Sequence, residues 1–135
     1  MKATLDHIGI AVEDLEEALA FYRDALGFNV DVTEEVASQA VRAHFLNVGP
    51  ATLELLEATS PQSPVARFIS RRGAGLHHIT LRVDDIDEAL TQLRANGVQL
   101  IDETPRDGAE GALVAFIHPS STHGVLIELK QHRGE

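Results

Sequence analysis

Polar and apolar residues alternate with period two from residue 4 to residue 12, placing Ile8, Ile10 and Val12 on one face and Leu5, His7, Gly9 and Ala11 on the other. The chain therefore opens on a strand. At Asp14 the period changes: Leu15, Ala18, Leu19, Tyr22 and Leu26 recur at helical spacing, Asp14 with Glu17 forms an N-terminal cap, and Gly27 supplies the stop. Period two returns over residues 28–58, predicting strands near 28–34, 40–48 and 51–58, with Asn47-Val48-Gly49-Pro50 as a turn. Residues 59–75 read as a connector, with Val65 to Ile69 apolar enough for a short helix. The order then repeats: a strand near 76–83, a helix from about 85 to 96 with the stripe Ile86, Ala89, Leu90 and Leu93, and strands near 98–102, 111–118 and 123–130. The pattern predicts an α+β fold of two tandem βαβββ modules, about 4–58 and 76–130, in a single domain spanning 1–135.

The repeat is visible in the letters as well as in the period. Leu5-Asp6-His7-Ile8-Gly9-Ile10-Ala11-Val12-Glu13-Asp14 returns as Leu76-His77-His78-Ile79-Thr80-Leu81-Arg82-Val83-Asp84-Asp85, offset by the 71 residues that separate His7 from His78. The register persists through Glu17/Glu88, Ala18/Ala89 and Leu19/Leu90. Two copies of this length are paired half-domains, since solenoid units recur every 20 to 50 residues or so and need about three copies.

Composition narrows the partners. The formal net charge is −10 and the basic residues are scattered, apart from Arg67, Arg71 and Arg72, which argues against a nucleic-acid groove or an anionic membrane surface as partner. With no cysteine, a metal has to be held by His, Asp, Glu or amide oxygen. The opening residues carry no apolar leader-like run and no window approaches 18 uninterrupted apolar residues, so a cytoplasmic location is the expectation.

Strand parity supplies the candidate chemistry. Each module buries an aliphatic sheet face under its own helix: Leu53 and Leu55 point that way in the first, Val125, Ile127 and Leu129 in the second. The alternate positions include Glu54 and Glu128, and in the opening strands His7 and His78. Two imidazoles and two carboxylates then face away from the helix-packed cores, a donor set suited to a divalent ion with positions left for water or substrate. A lone His or Glu on a strand is usually solvated or satisfied by a neighbour; the matched pairs are what favour a site. His77 has the opposite parity and reads as structural, Glu57 falls on the aliphatic parity, and His44, His118, His123 and His132 lack the symmetry and read as surface or local structural residues.

These residues resemble the vicinal oxygen chelate superfamily (the glyoxalase, bleomycin-resistance and dioxygenase group) and, within it, the methylmalonyl-CoA epimerase family. The likeness covers nearly the whole chain. It is carried by Leu5 to Val12, Glu54-Leu55-Leu56-Glu57, Ser63 to Ile69, Gly75-Leu76-His77-His78-Ile79, Gly97 to Glu103, Phe116-Ile117-His118-Pro119 and Gly124 to Leu129. The resemblance implies a cupped, partly closed mixed sheet, a homodimer, and a CoA thioester as small-molecule substrate. It also implies a 1,1-proton transfer that inverts the carbon between thioester and carboxylate through a metal-stabilised enolate. Carried over, the metal ligands are His7, Glu54, His78 and Glu128 and the ion is Co2+, while the N/O donor set also accepts Mn2+, Zn2+, Ni2+ or Fe2+. Glu128, at the metal, is a candidate for one catalytic base, since a carboxylate beside the reacting carbon can exchange protons with it.

Two positions depart from the family pattern. Relatives carry a glutamate assigned as a base immediately before the position of Gln39, where this chain has Ser38; Glu34, Glu35 or a water are the candidates to replace it. After His118-Pro119 stands Ser120 where relatives often have lysine. Arg67, Arg71, Arg72 and Arg106 are candidates for the CoA phosphates, against the reading that they are solvated surface charges. The alternative functions are a glyoxalase-like lyase or isomerase acting on a thiol conjugate, which the same four ligands would serve, and a non-catalytic binding protein on the same fold.

Overall fold

The computed structural model describes residues 1–133 and divides into two compact units: residues 7–77, and the opening residues 1–6 together with the chain from His78 onward.

The strand β1 (Ala3–Ala11) passes from one unit into the other. In the first unit it leads to helix α1 (Leu15–Leu19), then β2 (Val30–Val36), β3 (Val41–Asn47), β4 (Thr52–Ala58) and helix α2 (Pro64–Arg72). The strands lie in the order β2-β3-β4-β1, antiparallel except for the parallel pair β1–β4, where His7 registers with Thr52 and Ala11 with Leu56. Asp14 caps α1 as its sequence predicts, its Oδ1 accepting the Glu17 amide at 3.1 Å. The helix then widens into a π turn over Ala20–Ala25, with the Leu26 amide reaching back to the Phe21 carbonyl. Each residue of a wider turn advances less around the axis, so the predicted stripe fails at its end. Leu15, Ala18, Leu19 and Tyr22 pack on Leu46 and Leu55, while Leu26 is left 48% exposed.

The second unit continues with β5 (Gly75–Val83), helix α3 (Ile86–Ala95), β6 (Arg106–Asp107), β7 (Leu113–Ile117) and β8 (Ile127–Gln131), in the order β5-β8-β7-β6 with β5–β8 parallel. Asp85 caps α3 as Asp14 caps α1, accepting the Glu88 amide at 3.0 Å. Ile86, Ala89 and Leu90 are buried against Val83, Ala115, Ile117 and Leu129. The strand expected near 98–102 does not form. Leu100 makes one isolated bridge to Ile117, after which the Asp102 carboxylate takes the Phe116 amide at 2.8 Å, replacing a ladder partner with a side chain. Pro105 has no N–H to donate, and pairing resumes only after it, in the two residues of β6.

Connector residues 59–75 do more than join the modules. Ser63 caps α2 by accepting the Val65 amide at 3.2 Å, Pro64 fills its first turn, and Val65, Phe68 and Ile69 pack on Ala11, Val41, Ala43 and Leu56. Those four positions belong to the sheet face opposite α1. Half of the face that parity alone leaves open is thus covered by α2.

Candidate metal centre

His7 and Glu54 lie on that same first-unit face, outside the positions on which α2 packs. Both are buried, and His7 Nε2 lies 2.6 Å from Glu54 Oε2. Strand alternation puts them there: Ala11 and Leu56, each an even number of residues further on, lie under α2, whereas Leu53 and Leu55 pack toward α1.

The second unit repeats the pair with a difference. His78 is buried, and its Nε2 stands 3.7 Å from Glu128 Oε1. Thr80, fully buried and next along the same face, donates its hydroxyl to that same oxygen at 2.5 Å. Phe116 registers opposite Glu128 and turns its ring edge-to-face toward His78, 6.4 Å between centroids. Above the Phe116 ring, at 5.3 Å, lies the guanidinium of Arg106, which Asp102 approaches at 3.5 Å. Lys130, two residues beyond Glu128, is buried with Asp6 and Glu110 at 3.5 and 3.4 Å.

Each pair offers one imidazole nitrogen and one carboxylate oxygen, taken out of bulk water on rigid strands. That fits the donor preferences of a first-row divalent ion. A buried carboxylate facing a histidine is expensive unless the two satisfy each other or share a cation.

The flanking candidates separate cleanly. Burial holds the His77 imidazole below the usual histidine range, and its ring meets Phe68 of α2 at 4.8 Å, so it packs with the connector helix. His44 is buried and local: its Nδ1 meets Thr33 Oγ1 at 3.1 Å and its Nε2 meets Glu57 at 3.4 Å. His118 accepts the Ser120 amide at 3.0 Å and His132 meets Asp6 at 3.5 Å, while His123 is exposed. Arg67, Arg71 and Arg72 lie exposed on α2, Arg72 over the Phe68 ring at 5.9 Å.

Glu34 and Glu35 go to opposite faces, and a β-bulge decides which. Val30 registers with Leu46 on the α1 face, but the register shifts between Val30 and Val32, so Val32 pairs with Phe45 and Glu34 with Ala43. Phe45 and Ala43 register with Glu54 and Leu56. Glu34 therefore shares the face of Glu54. Glu35 lies on the other, bonded to Arg42 at 2.8 Å; Arg42 also bonds Glu57 at 3.0 Å, and the two carboxylates raise its pKa above the ordinary value. Ser38 is exposed in the 3-10 turn Ala37–Gln39.

Sequence reasoning missed Thr80 and the cover provided by α2. A threonine in a strand is common enough to pass unnoticed; its parity with His78 was the available signal.

A sequence model of the Glyoxalase/Bleomycin resistance protein/Dioxygenase superfamily matches residues 6–116, and the chain belongs to that superfamily. Its relatives place it more narrowly. It is 44% identical to the uncharacterized protein YqjC of Bacillus subtilis (strain 168), over 97% of this chain and 94% of that one. It is 38% identical to the mitochondrial methylmalonyl-CoA epimerase of Bos taurus, over 94% of this chain and 73% of that one. A solved structure of methylmalonyl-CoA epimerase in complex with methylmalonyl-CoA and NH4+ superposes with a TM-score of 0.90 at 36% identity, covering 99% of this chain and 97% of that one. Within the superfamily the chain is a member of the methylmalonyl-CoA epimerase family of enzymes. Among the described residues no helix is long and apolar enough to cross a membrane.

Proposed function

We propose that this protein interconverts (R)- and (S)-methylmalonyl-CoA by 1,1-proton transfer at a divalent metal ion held jointly by His7, Glu54, His78 and Glu128. The observation that carries the reading is the duplicated pair: equivalent strands of the two modules each bury a histidine beside a carboxylate, in a chain with full-length likeness to methylmalonyl-CoA epimerases. A bound divalent cation would supply Lewis-acid relief for the charge that appears on the thioester oxygen when the α-proton leaves. The donor set accepts Co2+, and also Mn2+, Zn2+, Ni2+ or Fe2+. Family likeness favours Co2+ and a homodimer.

Glu128 serves as one proton-transfer base, its carboxylate held in place by the Thr80 hydroxyl. Inversion needs a second group on the opposite side of the planar carbon. Glu34 takes that role where relatives use a glutamate at the position of Ser38, because the bulge in β2 turns it to the face of Glu54 while Glu35 is bonded to Arg42 on the other.

Incubation of the cobalt-loaded protein with racemic methylmalonyl-CoA in 2H2O tests the reading. It predicts deuterium at the α-carbon of both enantiomers. A metal-loaded protein that incorporates none contradicts it and leaves the lyase or binding-protein alternatives; turnover of a glutathione thiol conjugate would select the lyase.

A further inference from the structure

The two halves of the repeat are not equivalent at their carboxylates. In the parallel pair β1–β4, Glu54 registers with Gly9; in the parallel pair β5–β8, Glu128 registers with Thr80. Gly9 and Thr80 are themselves repeat equivalents, each two residues after the histidine. Gly9 presents no side chain to Glu54, which reaches its own histidine at 2.6 Å. Thr80, 0% exposed, presents a hydroxyl to Glu128 and donates it to Oε1 at 2.5 Å, with that oxygen 3.7 Å from His78.

From this we infer that Thr80 is a positioning residue: its buried hydroxyl fixes the Glu128 carboxylate away from His78, and this one side chain makes the second carboxylate of the repeat functionally distinct from the first. The inference rests on the proposed metal-dependent epimerase reading. A buried hydroxyl that lacks a partner is costly, and a charge-assisted bond to a carboxylate is stronger and shorter than a neutral one, so the Thr80–Glu128 bond holds both groups in one geometry. Partners of this kind orient metal-binding and proton-transferring groups from behind, and their loss typically costs about 10- to 100-fold in metal affinity or activity. Glu54, lacking the equivalent hydroxyl, meets His7 directly instead. Nothing in the alternation of the strand requires a hydroxyl at residue 80.

The test compares Thr80→Val, which keeps the shape and removes the donor, with Thr80→Ser, which keeps the donor. Co2+ affinity and the visible absorption of the bound ion are read by titration, and kcat and KM are read separately with methylmalonyl-CoA. Thr80→Val is expected to lose about 10- to 100-fold in Co2+ affinity or kcat, with a shifted cobalt spectrum and a KM within about threefold of wild type. Thr80→Ser is expected to restore all of them to within a few-fold. If the valine chain does not fold, Thr80→Ala carries the same expectation. A folded valine or alanine variant with wild-type affinity, spectrum and kcat overturns the inference, as does a serine variant as impaired as the valine one, which would show a packing role. A wild-type protein that binds no Co2+ and exchanges no deuterium overturns the epimerase reading and this inference with it, whereas failure of the variants alone to differ leaves that reading standing.

Discussion

Glu128→Gln separates the chemistry of the site from its architecture. The amide carbonyl of glutamine can stand where Glu128 Oε1 stands and still accept the Thr80 hydroxyl, now 2.5 Å away, so the local packing of β5 and β8 is preserved. What is removed is the negative charge and the capacity to take a proton from carbon. A positioned general base contributes about 10²- to 10⁴-fold, equivalent to about 3 to 5.5 kcal/mol of barrier at 1.36 kcal/mol per tenfold. The assay is the initial rate of deuterium incorporation from 2H2O into methylmalonyl-CoA, with metal content measured on the same sample, because Glu128 is also a proposed ligand. The expected result is an exchange rate reduced by at least about 100-fold in protein brought to full occupancy with excess Co2+, and a melting temperature close to wild type. Exchange within about tenfold of wild type at full occupancy would refute a base role for Glu128.

Three further outcomes follow from the same geometry. Glu34→Gln is expected to suppress exchange from one enantiomer more than the other, measured on resolved (R)- and (S)-thioesters, while Glu35→Gln leaves both unchanged because Glu35 faces away and bonds Arg42. Saturating the wild-type protein with Co2+ at about 100 times its dissociation constant stabilises it by about 2.7 kcal/mol, seen as a higher melting temperature that a chelator reverses; a chelator-insensitive melt would count against metal linkage. Leu90→Ala, at a position 1% exposed beneath Val83, Ala115 and Leu129, is expected to lower the unfolding free energy by about 2 to 5 kcal/mol in a denaturant titration, and a loss under 1 kcal/mol would contradict the packing described for α3.

Much of the fold is legible because two periods carry it. The stripes of α1 and α3, the Asp14 and Asp85 caps and the parity that sets His7, Glu54, His78 and Glu128 apart from the aliphatic faces all follow from local spacing. What spacing cannot carry is a change in the count along an element. The π turn over Ala20–Ala25 exposes Leu26, and the bulge between Val30 and Val32 reverses every later residue of β2, sending Glu34 rather than Glu35 to the face of Glu54. Without the bulge, Glu34 would share the face of Val30. Long-range choices are equally silent in the sequence. That Val65 and Phe68 cover Ala11 and Leu56, that Asp102 takes the Phe116 amide in place of a strand partner, and that Thr80 bonds Glu128 each join residues whose separation no periodicity encodes.

The central claim is that the histidine–carboxylate pairs of the two modules serve a single shared ion, and the direct measurement is the metal stoichiometry and anomalous scattering of Co2+-loaded crystals, on wild type and on His7→Ala and His78→Ala. The account predicts one ion per chain, coordinated by His7, Glu54, His78 and Glu128 and lost or greatly weakened by either substitution. Two ions per chain, one at each pair, or an ion retained at full affinity after His7→Ala, would contradict it.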